Sequence, residues 1–122
     1  MNAKTQPTVL IAEDEMLLAM LLSDLMQNAG YNVLMTARLA KGLELAASEP
    51  IDAAILDINL AGQDSFPLAD ALSRHGIPFV FASGYGRDDV PEAHRHVAVL
   101  QKPYDTAEIQ TAIAILLRAK AN

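Results

Sequence analysis

The side chains of this sequence that could carry out chemistry stand directly after short apolar runs. In chain order they are Glu13, Asp14, Asp57, Ser83 and Lys102. The run that ends at Asp57 is short and rich in Ile, Leu and Ala, which is typical of a strand buried on both faces. A charge at the tip of such a strand is costly unless it is paired, hydrogen-bonded or bound to a metal. We therefore interpret Asp57 as the reactive residue and the other four side chains as its helpers.

The three carboxylates would repel one another if they met at one place. Two unit charges about 4 Å apart at an effective dielectric of about 20 cost roughly 4 kcal/mol, so a proton or a cation must relieve such a cluster. Ligands that are all oxygen favour Mg²⁺ over Zn²⁺, with Asp14 and Asp57 as direct ligands and Glu13 holding a bound water. A metal and a nearby lysine also suit a phosphoryl group. Asp57 as nucleophile would give an aspartyl-phosphate, with Ser83 hydrogen-bonding its oxygens and Lys102 neutralising its charge.

Five repeats of a strand followed by a helix must position these side chains. The predicted strands cover residues 8–12, 31–36, 51–57, 78–82 and 97–100, and the predicted helices cover residues 15–29, 37–48, 66–75, 87–94 (short, and interrupted by a proline) and 106–119. Strict alternation predicts an α/β fold, a doubly wound five-stranded parallel sheet of flavodoxin-like order 2-1-3-4-5 with helices on both faces. The carboxyl ends of parallel strands share one edge, and the first and third strands are neighbours in this order. Asp14 is therefore expected beside Asp57.

Length and composition exclude several classes of protein. The 122 residues suit one domain, predicted over residues 8–119 with flexible tails at 1–7 and 120–122, and a hydrophobic content of 52% argues against disorder. The absence of cysteine excludes disulfides, thiolate metal sites and a thiol nucleophile. A net charge of -6 argues against nucleic acid as a partner. The apolar runs are too short to cross a membrane and the N-terminus lacks a secretory signal, so we expect a cytoplasmic protein.

In this order and context, the residues resemble the receiver domain of response regulators in two-component signalling. The resemblance runs from residue 9 to about residue 118 and rests on Glu13-Asp14, Asp57, Ser83 and Lys102-Pro103. It implies that a histidine kinase or a histidine phosphotransfer protein passes phosphate to Asp57. It also implies that Mg²⁺ is bound by Asp14, Asp57 and the backbone carbonyl of Asn59, and that the Lys102-Pro103 bond is cis.

The resemblance further implies a phosphoacceptor protein rather than an enzyme, although one able to promote its own phosphorylation and dephosphorylation. The five strand and helix repeats leave no length for an effector domain. We therefore expect a stand-alone receiver in a phosphorelay, a monomer or a weak dimer, whose output is changed binding to an unknown downstream protein.

Some positions depart from the usual receiver pattern. Val99 stands where the family usually has an aromatic switch residue. The nearest substitute is Tyr85, within the stretch FASGYG of residues 81–86, which resembles the Phe-Ala-Thr-Gly variant of a subgroup of stand-alone receivers. Ala61 and Ser65 replace a common proline and a common glycine in the loop after the third strand.

Three other functions remain open. A Mg²⁺-dependent phosphohydrolase would also use Asp57 as nucleophile, although Asn59 stands where such an enzyme would want a second catalytic Asp. A flavin-binding electron carrier shares the predicted fold but would want a Ser/Thr/Gly-rich loop where this chain has three consecutive acids after its first strand. A degenerate receiver that acts only as a binding module is compatible with Val99.

Other features have both a structural and a functional interpretation. Apolar residues lie nearly all round the first helix. The surplus is either plain core or, around Met16 and Met20, a docking surface for a partner helix. Glu13 and Asp14 also suit the N-terminus of that helix, a role compatible with metal binding. The cluster His94-Arg95-His96 is suggestive of a metal or phosphate site, but we interpret it as a solvated loop.

Overall fold

The computed structural model describes residues 6–84 and 90–121 of the chain. Its strands are β1 (Thr8–Ala12), β2 (Asn32–Thr36), β3 (Ala53–Asp57), β4 (Asn59–Leu60), β5 (Gln63–Asp64), β6 (Phe79–Ser83) and β7 (Val99–Gln101). Its α-helices are α1 (Met16–Asn28), α2 (Leu39–Ser48), α3 (Phe66–Arg74) and α4 (Thr106–Ala121), and one turn of 3-10 helix spans Glu92–His94.

The main sheet has five parallel strands in the order β2-β1-β3-β6-β7, which confirms the predicted arrangement. β3 is the central strand and every one of its residues is buried, as the apolar run before Asp57 predicted. β1 lies directly beside it, with Ala12 opposite Leu56. The neighbouring carboxyl ends of β1 and β3 therefore form the switch point of the sheet, where α/β folds bind ligands.

Alternating side chains of the sheet build one apolar core on each face. Leu10, Leu56 and Phe81 belong to the core that also contains residues of α2 and α3. Ile55 and Val80 belong to the core that also contains residues of α1 and α4. Both faces are thus covered by helices, which explains why the strands read as continuous apolar runs instead of alternating patterns.

Local sequence signals set the ends of the helices that flank the site. Gly30 follows α1 with a φ of 95° and Gly76 follows α3 with a φ of 71°. Glycine adopts this left-handed conformation at little cost, so it ends a helix and turns the chain back toward the sheet. Pro67 lies in the first turn of α3, where a backbone N–H has no helical partner to lose.

The loop after Asp57 contains a small hairpin that the sequence did not predict. β4 and β5 pair antiparallel, with Asn59 opposite Asp64. Ala61 and Gly62 at its turn have φ values of 51° and 87°. Two consecutive left-handed residues are what a tight hairpin turn of this kind requires. The strands have two residues each, which is too short for an alternating pattern to be visible in the sequence.

Most element boundaries differ from the predictions by one or two residues, and one predicted helix is much shorter than expected. Within the described residues, the short helix predicted over 87–94 is only the 3-10 turn Glu92–His94 that follows Pro91, and residues 87–89 lie outside the described part. α4 continues to Ala121, two residues beyond its predicted end. Of the helices in the described part of the chain, none has the length and apolar character to span a membrane.

The interpretation of the His94-Arg95-His96 cluster as a solvated loop was wrong for His94. Arg95 and His96 are exposed, but the His94 side chain is buried. Its ring packs edge-on against Phe79 and Phe81 of β6. The 3-10 turn directs this one side chain inward, a placement that depends on packing and not on the composition of the cluster.

Candidate functional site

The predicted site residues lie at one edge of the sheet because each follows the carboxyl end of a parallel strand. Glu13 directly follows β1, and Asp57 is the last residue of β3. Ser83 is the last residue of β6, and Lys102 directly follows β7. The strand order makes these ends neighbours, which brings side chains from distant parts of the sequence to one place.

The structure brings the three predicted carboxylates together. One ligand oxygen from each of Glu13, Asp14 and Asp57 can be chosen so that all three lie within 4.8 Å of one another. Glu13 and Asp57 are buried, whereas Asp14 is exposed. The cluster therefore has a buried floor and one carboxylate at its solvent side, as expected for a site that a small ion or group enters from water.

Lys102 joins two of these carboxylates. Its Nζ lies 3.0 Å from Oε1 of Glu13 and 2.8 Å from Oδ2 of Asp57. Burial on its own would lower the pKa of Lys102, but the hydrogen bonds to Asp57 and Glu13 outweigh it and raise that pKa above its ordinary value. The ammonium group therefore stays charged and is held against the predicted nucleophile.

Backbone N–H groups hold most of the remaining carboxylate oxygens. Oδ1 of Asp57 accepts a hydrogen bond from the N–H of Asn59 at 3.2 Å, and Oδ2 of Asp14 accepts one from the N–H of Ala61 at 3.0 Å. Oε2 of Glu13 accepts one from the N–H of Glu15 at 2.9 Å. Among residues 6–84 and 90–121, Oδ1 of Asp14 is the cluster's one carboxylate oxygen without a hydrogen-bond donor.

The same geometry explains the proton affinity of Glu13. Burial raises the pKa of the Glu13 carboxyl, and the charge of Asp57 acts in the same direction. The hydrogen bonds from the Glu15 N–H and from Lys102 oppose this effect without cancelling it. Both oxygens of Glu13 have protein partners, so its predicted role of holding a water would use one of these oxygens a second time.

Ser83 is the last residue of β6 and Asn59 is the first residue of β4, whereas Tyr85 is outside the described residues. Ser83 is 4% exposed, and its backbone carbonyl accepts a hydrogen bond from the Lys102 N–H at 2.8 Å. The side-chain oxygen of Asn59 accepts one from the Gly62 N–H at 3.0 Å and so stabilises the hairpin turn. The bond between Lys102 and Pro103 is cis, as the resemblance implied.

Tyr104 borders the site and was missed by the sequence analysis. Burial, followed by the negative charge of Glu13, raises the pKa of the Tyr104 phenol to about 12. Its hydroxyl is buried and has no hydrogen-bond partner within the described part of the chain. The sequence did offer one indication, because Tyr104 lies two residues after Lys102 in the loop between β7 and α4.

The donor set fits a divalent cation that prefers oxygen. When all are ionised, three carboxylates and one ammonium leave two negative charges at the cluster (3 − 1). The candidate ligand atoms are carboxylate oxygens, and neither histidine nor cysteine is among them. This chemistry suits Mg²⁺ in preference to Zn²⁺.

Comparison with known proteins gives one consistent family. Residues 9–114 match the family described as "Response regulator receiver domain". The chain is 42% identical to SdrG from Sphingomonas melonis Fr1 in a solution structure, with a TM-score of 0.78, and the match covers 96% of this chain and 99% of that one.

Two curated relatives differ in how much of their length is matched. Sporulation initiation phosphotransferase F from Bacillus subtilis (strain 168) is 24% identical over 119 residues, which cover 93% of this chain and 96% of that protein. Transcriptional regulatory protein PdtaR from Mycobacterium tuberculosis is 30% identical over 119 residues, which cover 93% of this chain and 58% of the regulator. The chain spans about half the length of four regulatory proteins that it matches.

Proposed function

Because the chain belongs to the family of response regulator receiver domains, we propose that it accepts a phosphoryl group on Asp57 from a histidine kinase or a histidine phosphotransfer protein. The observation that carries this proposal is the 2.8 Å contact between Oδ2 of Asp57 and Nζ of Lys102 inside a cluster of carboxylates. That contact holds a nucleophile and a cation together at the switch point of the sheet.

The proposed transfer exchanges one bond to phosphorus for another. A carboxylate oxygen of Asp57 attacks the phosphorus of the donor's phosphohistidine and forms a P–O bond. The P–N bond breaks, its electron pair returns to the imidazole nitrogen, and the imidazole takes up a proton from water. Lys102 neutralises charge on the transferred phosphoryl oxygens, and Ser83 donates a hydrogen bond to one of them.

The transfer is proposed to depend on Mg²⁺ held by Asp14, Asp57 and the backbone carbonyl of Asn59, with Glu13 holding a water. When bound, the ion supplies positive charge that offsets the negative charge of the phosphoryl oxygens. The residues contribute the rest of the site themselves. The Asn59 N–H orients Asp57, and the Ala61 N–H orients Asp14 from the hairpin turn.

The exposed part of α1 supports the proposed docking of a partner helix. Met16, Leu17, Met20 and Leu21 are 73%, 78%, 53% and 54% exposed. The helix starts directly after the acidic residues of the site, so a partner seated on it would bring its phosphohistidine close to Asp57. Methionine side chains adapt to the shape of a partner, and apolar clusters of this kind commonly mark interaction surfaces.

We expect Met20→Glu to slow phosphotransfer by about tenfold or more, since it places a charge in the middle of the docking surface. Its melting temperature should change by less than about 2 °C because the side chain is not part of either core. Stopped-flow or gel-based transfer from the kinase measures the first effect and calorimetry the second. Ile115→Glu is a matched control, because Ile115 is 55% exposed on α4 and should leave the transfer rate unchanged. A variant that melts much earlier but transfers normally would contradict the docking role.

The proposed output is a change in protein binding, and the chain is proposed to act as a phosphoacceptor and not as an enzyme on a separate substrate. Phosphorylation adds charge and acceptor oxygens that draw Ser83 and Lys102 inward and alter the surface near β6 and β7. The similarity to a protein named as a phosphotransferase, over 96% of its length, supports a place in a phosphorelay. The cytoplasmic location and the stand-alone arrangement remain predictions.

Incubation with acetyl phosphate and Mg²⁺ tests the proposal. We expect a labile adduct of one phosphoryl group on Asp57, detected by intact-mass spectrometry and absent from Asp57→Asn. Asp24→Asn, which changes an exposed acid on α1, is the matched control and should still be modified. Steady donor turnover without an adduct would favour a phosphohydrolase, and the absence of both adduct and turnover would favour a receiver that acts only as a binding module.

A further inference from the structure

A buried histidine lies outside the proposed phosphoacceptor site. His94 is 4% exposed, and its Nε2 lies 2.7 Å from Oδ1 of Asp70 on α3. The Asp70 side chain is 56% exposed. The hydrogen bond therefore connects the 3-10 turn, which contains His94, to α3. This helix begins directly after the loop that follows Asp57.

The His94 ring is a member of an aromatic cluster formed by Phe66, Phe79, Phe81 and His94. Ring centroids are 5.7 Å apart for Phe66 and Phe81, 5.4 Å for Phe79 and Phe81, 5.7 Å for Phe79 and His94, and 6.1 Å for Phe81 and His94. All four contacts are edge-to-face, the arrangement that aromatic rings prefer. This aromatic cluster links the first residue of α3, the strand β6 and the 3-10 turn in one continuous contact.

Hydrogen bonding assigns the proton of the His94 ring. Nε2 faces the Asp70 carboxylate and must donate to it, since a carboxylate only accepts. Nδ1 is buried and has no hydrogen-bond partner in the described ranges 6–84 and 90–121. A buried N–H without an acceptor is costly, so the geometry favours the tautomer with its proton on Nε2.

The aromatic cluster packs on the side of β6 to which Ser83 also points. Side chains alternate along a strand, so Phe79, Phe81 and Ser83 share one face of the sheet. Val99 is the register partner of Phe81 and packs into the same core, but it is small and not aromatic. The His94 ring, which contacts Phe81 at a centroid distance of 6.1 Å, comes from outside the sheet.

We propose that the His94–Asp70 pair is a latch that holds residues 90–97 against α3 in the resting protein and opens when Asp57 carries a phosphoryl group. The inference rests on the proposed function. Ser83 is two residues from Phe81, so a displacement of the end of β6 toward a phosphoryl group moves the surface on which His94 packs. A hydrogen bond at 2.7 Å weakens steeply when its partners move apart or lose alignment. The opened latch frees the Asp70 carboxylate and changes the exposed surface of α3, which a partner can then distinguish.

The resting latch is tested by nuclear magnetic resonance of the full chain, whose three histidines are His75, His94 and His96. Long-range proton–nitrogen spectra should assign the Nε2–H tautomer to one ring, with slow exchange of its proton with water. Asp70→Ala should abolish this signal, whereas His96→Gln should leave it unchanged. If all three histidine rings average between their two tautomers in the resting protein, the latch does not form.

The opening is tested with Mg²⁺ and beryllofluoride, a mimic of the phosphoryl group. We expect the Nε2 proton of His94 to exchange about tenfold faster or more in the complex. By reciprocity, Asp70→Ala should bind beryllofluoride about three- to tenfold more tightly than the unmodified chain, because the closed state no longer has the bond that favours it. Asp24→Ala, which changes another exposed helical aspartate, should not alter the affinity.

The failures of this inference and of the proposed function are distinguishable. If beryllofluoride binds to the unmodified protein but not to Asp57→Asn, and neither His94 exchange nor the affinity of Asp70→Ala changes, the latch is wrong and the phosphoacceptor role stands. Weaker binding of beryllofluoride by Asp70→Ala would also overturn the latch, because removing the His94–Asp70 hydrogen bond must favour the open state. If beryllofluoride does not bind at Asp57, the proposed function fails and the latch fails with it.

Discussion

Replacing Asp14 by Asn should stabilise the metal-free protein, because it removes one charge from a cluster of like charges. The ligand oxygens of Glu13, Asp14 and Asp57 lie within 4.8 Å of one another. At that separation a pair of unit charges costs about 3.5 kcal/mol at an effective dielectric of about 20, and about 0.9 kcal/mol in water. Asp14 is exposed, so each of its two pairs lies near the lower value, and Lys102 offsets part of the repulsion. We therefore expect a gain of about 1 kcal/mol, or roughly 3–6 °C in melting temperature.

The substitution keeps the rest of the site. The side-chain oxygen of Asn can still accept the hydrogen bond that Ala61 donates to Asp14 at 3.0 Å. Loss of the charge should nevertheless remove the response to the metal. In the unmodified protein, Mg²⁺ at about ten times its Kd should add about 1.4 kcal/mol to the free energy of unfolding, and in Asp14→Asn this increment should approach zero.

Calorimetric melting of both proteins, first in chelator and then in a series of Mg²⁺ concentrations, measures the stabilisation of the metal-free protein and the loss of the Mg²⁺ response. Asp24→Asn removes an exposed acid from α1 outside the carboxylate cluster, so it controls for a general effect of net charge. The electrostatic reasoning is refuted if Asp14→Asn melts earlier than the unmodified protein in chelator. It is equally refuted if Mg²⁺ raises the melting temperature of both proteins by the same amount.

Three further substitutions test other parts of the structure. The Ser65 hydroxyl is buried without a hydrogen-bond partner among the described residues, so Ser65→Ala should raise the free energy of unfolding in urea by about 1 kcal/mol. A Cβ at Gly42 would lie 2.9 Å from Cδ2 of the buried Leu68, so Gly42→Ala should lower that free energy by about 1–3 kcal/mol despite its better helix propensity. Burial and the charge of Glu13 raise the pKa of Tyr104 to about 12. The folded protein therefore keeps a proton that the unfolded chain loses above about pH 10, and stability should fall as the pH rises through this window. Tyr104→Phe should flatten that fall in melting curves, and an unchanged slope would contradict the assignment.

The amino-acid sequence alone was sufficient to predict the order of the sheet and the edge at which Asp14, Asp57 and Lys102 come together. Alternating strands and helices permit few arrangements, and the parallel order 2-1-3-4-5 places every strand end on one edge. A residue that follows a strand therefore has a predictable position, whatever its separation along the chain. This is why Asp57 and Lys102, 45 residues apart, were expected to meet and do so at 2.8 Å.

Only the tertiary structure decided which atom meets which. The bond from Ala61 to Asp14 depends on a hairpin turn with left-handed residues, and strands of two residues leave no periodic signal in a sequence. His94 was misread because its burial follows from the shape of the space beside Phe81, which neighbouring residues in the sequence do not encode. Strand periodicity specifies the edge on which a side chain emerges, whereas packing from distant segments specifies its partner, its burial and hence its proton affinity.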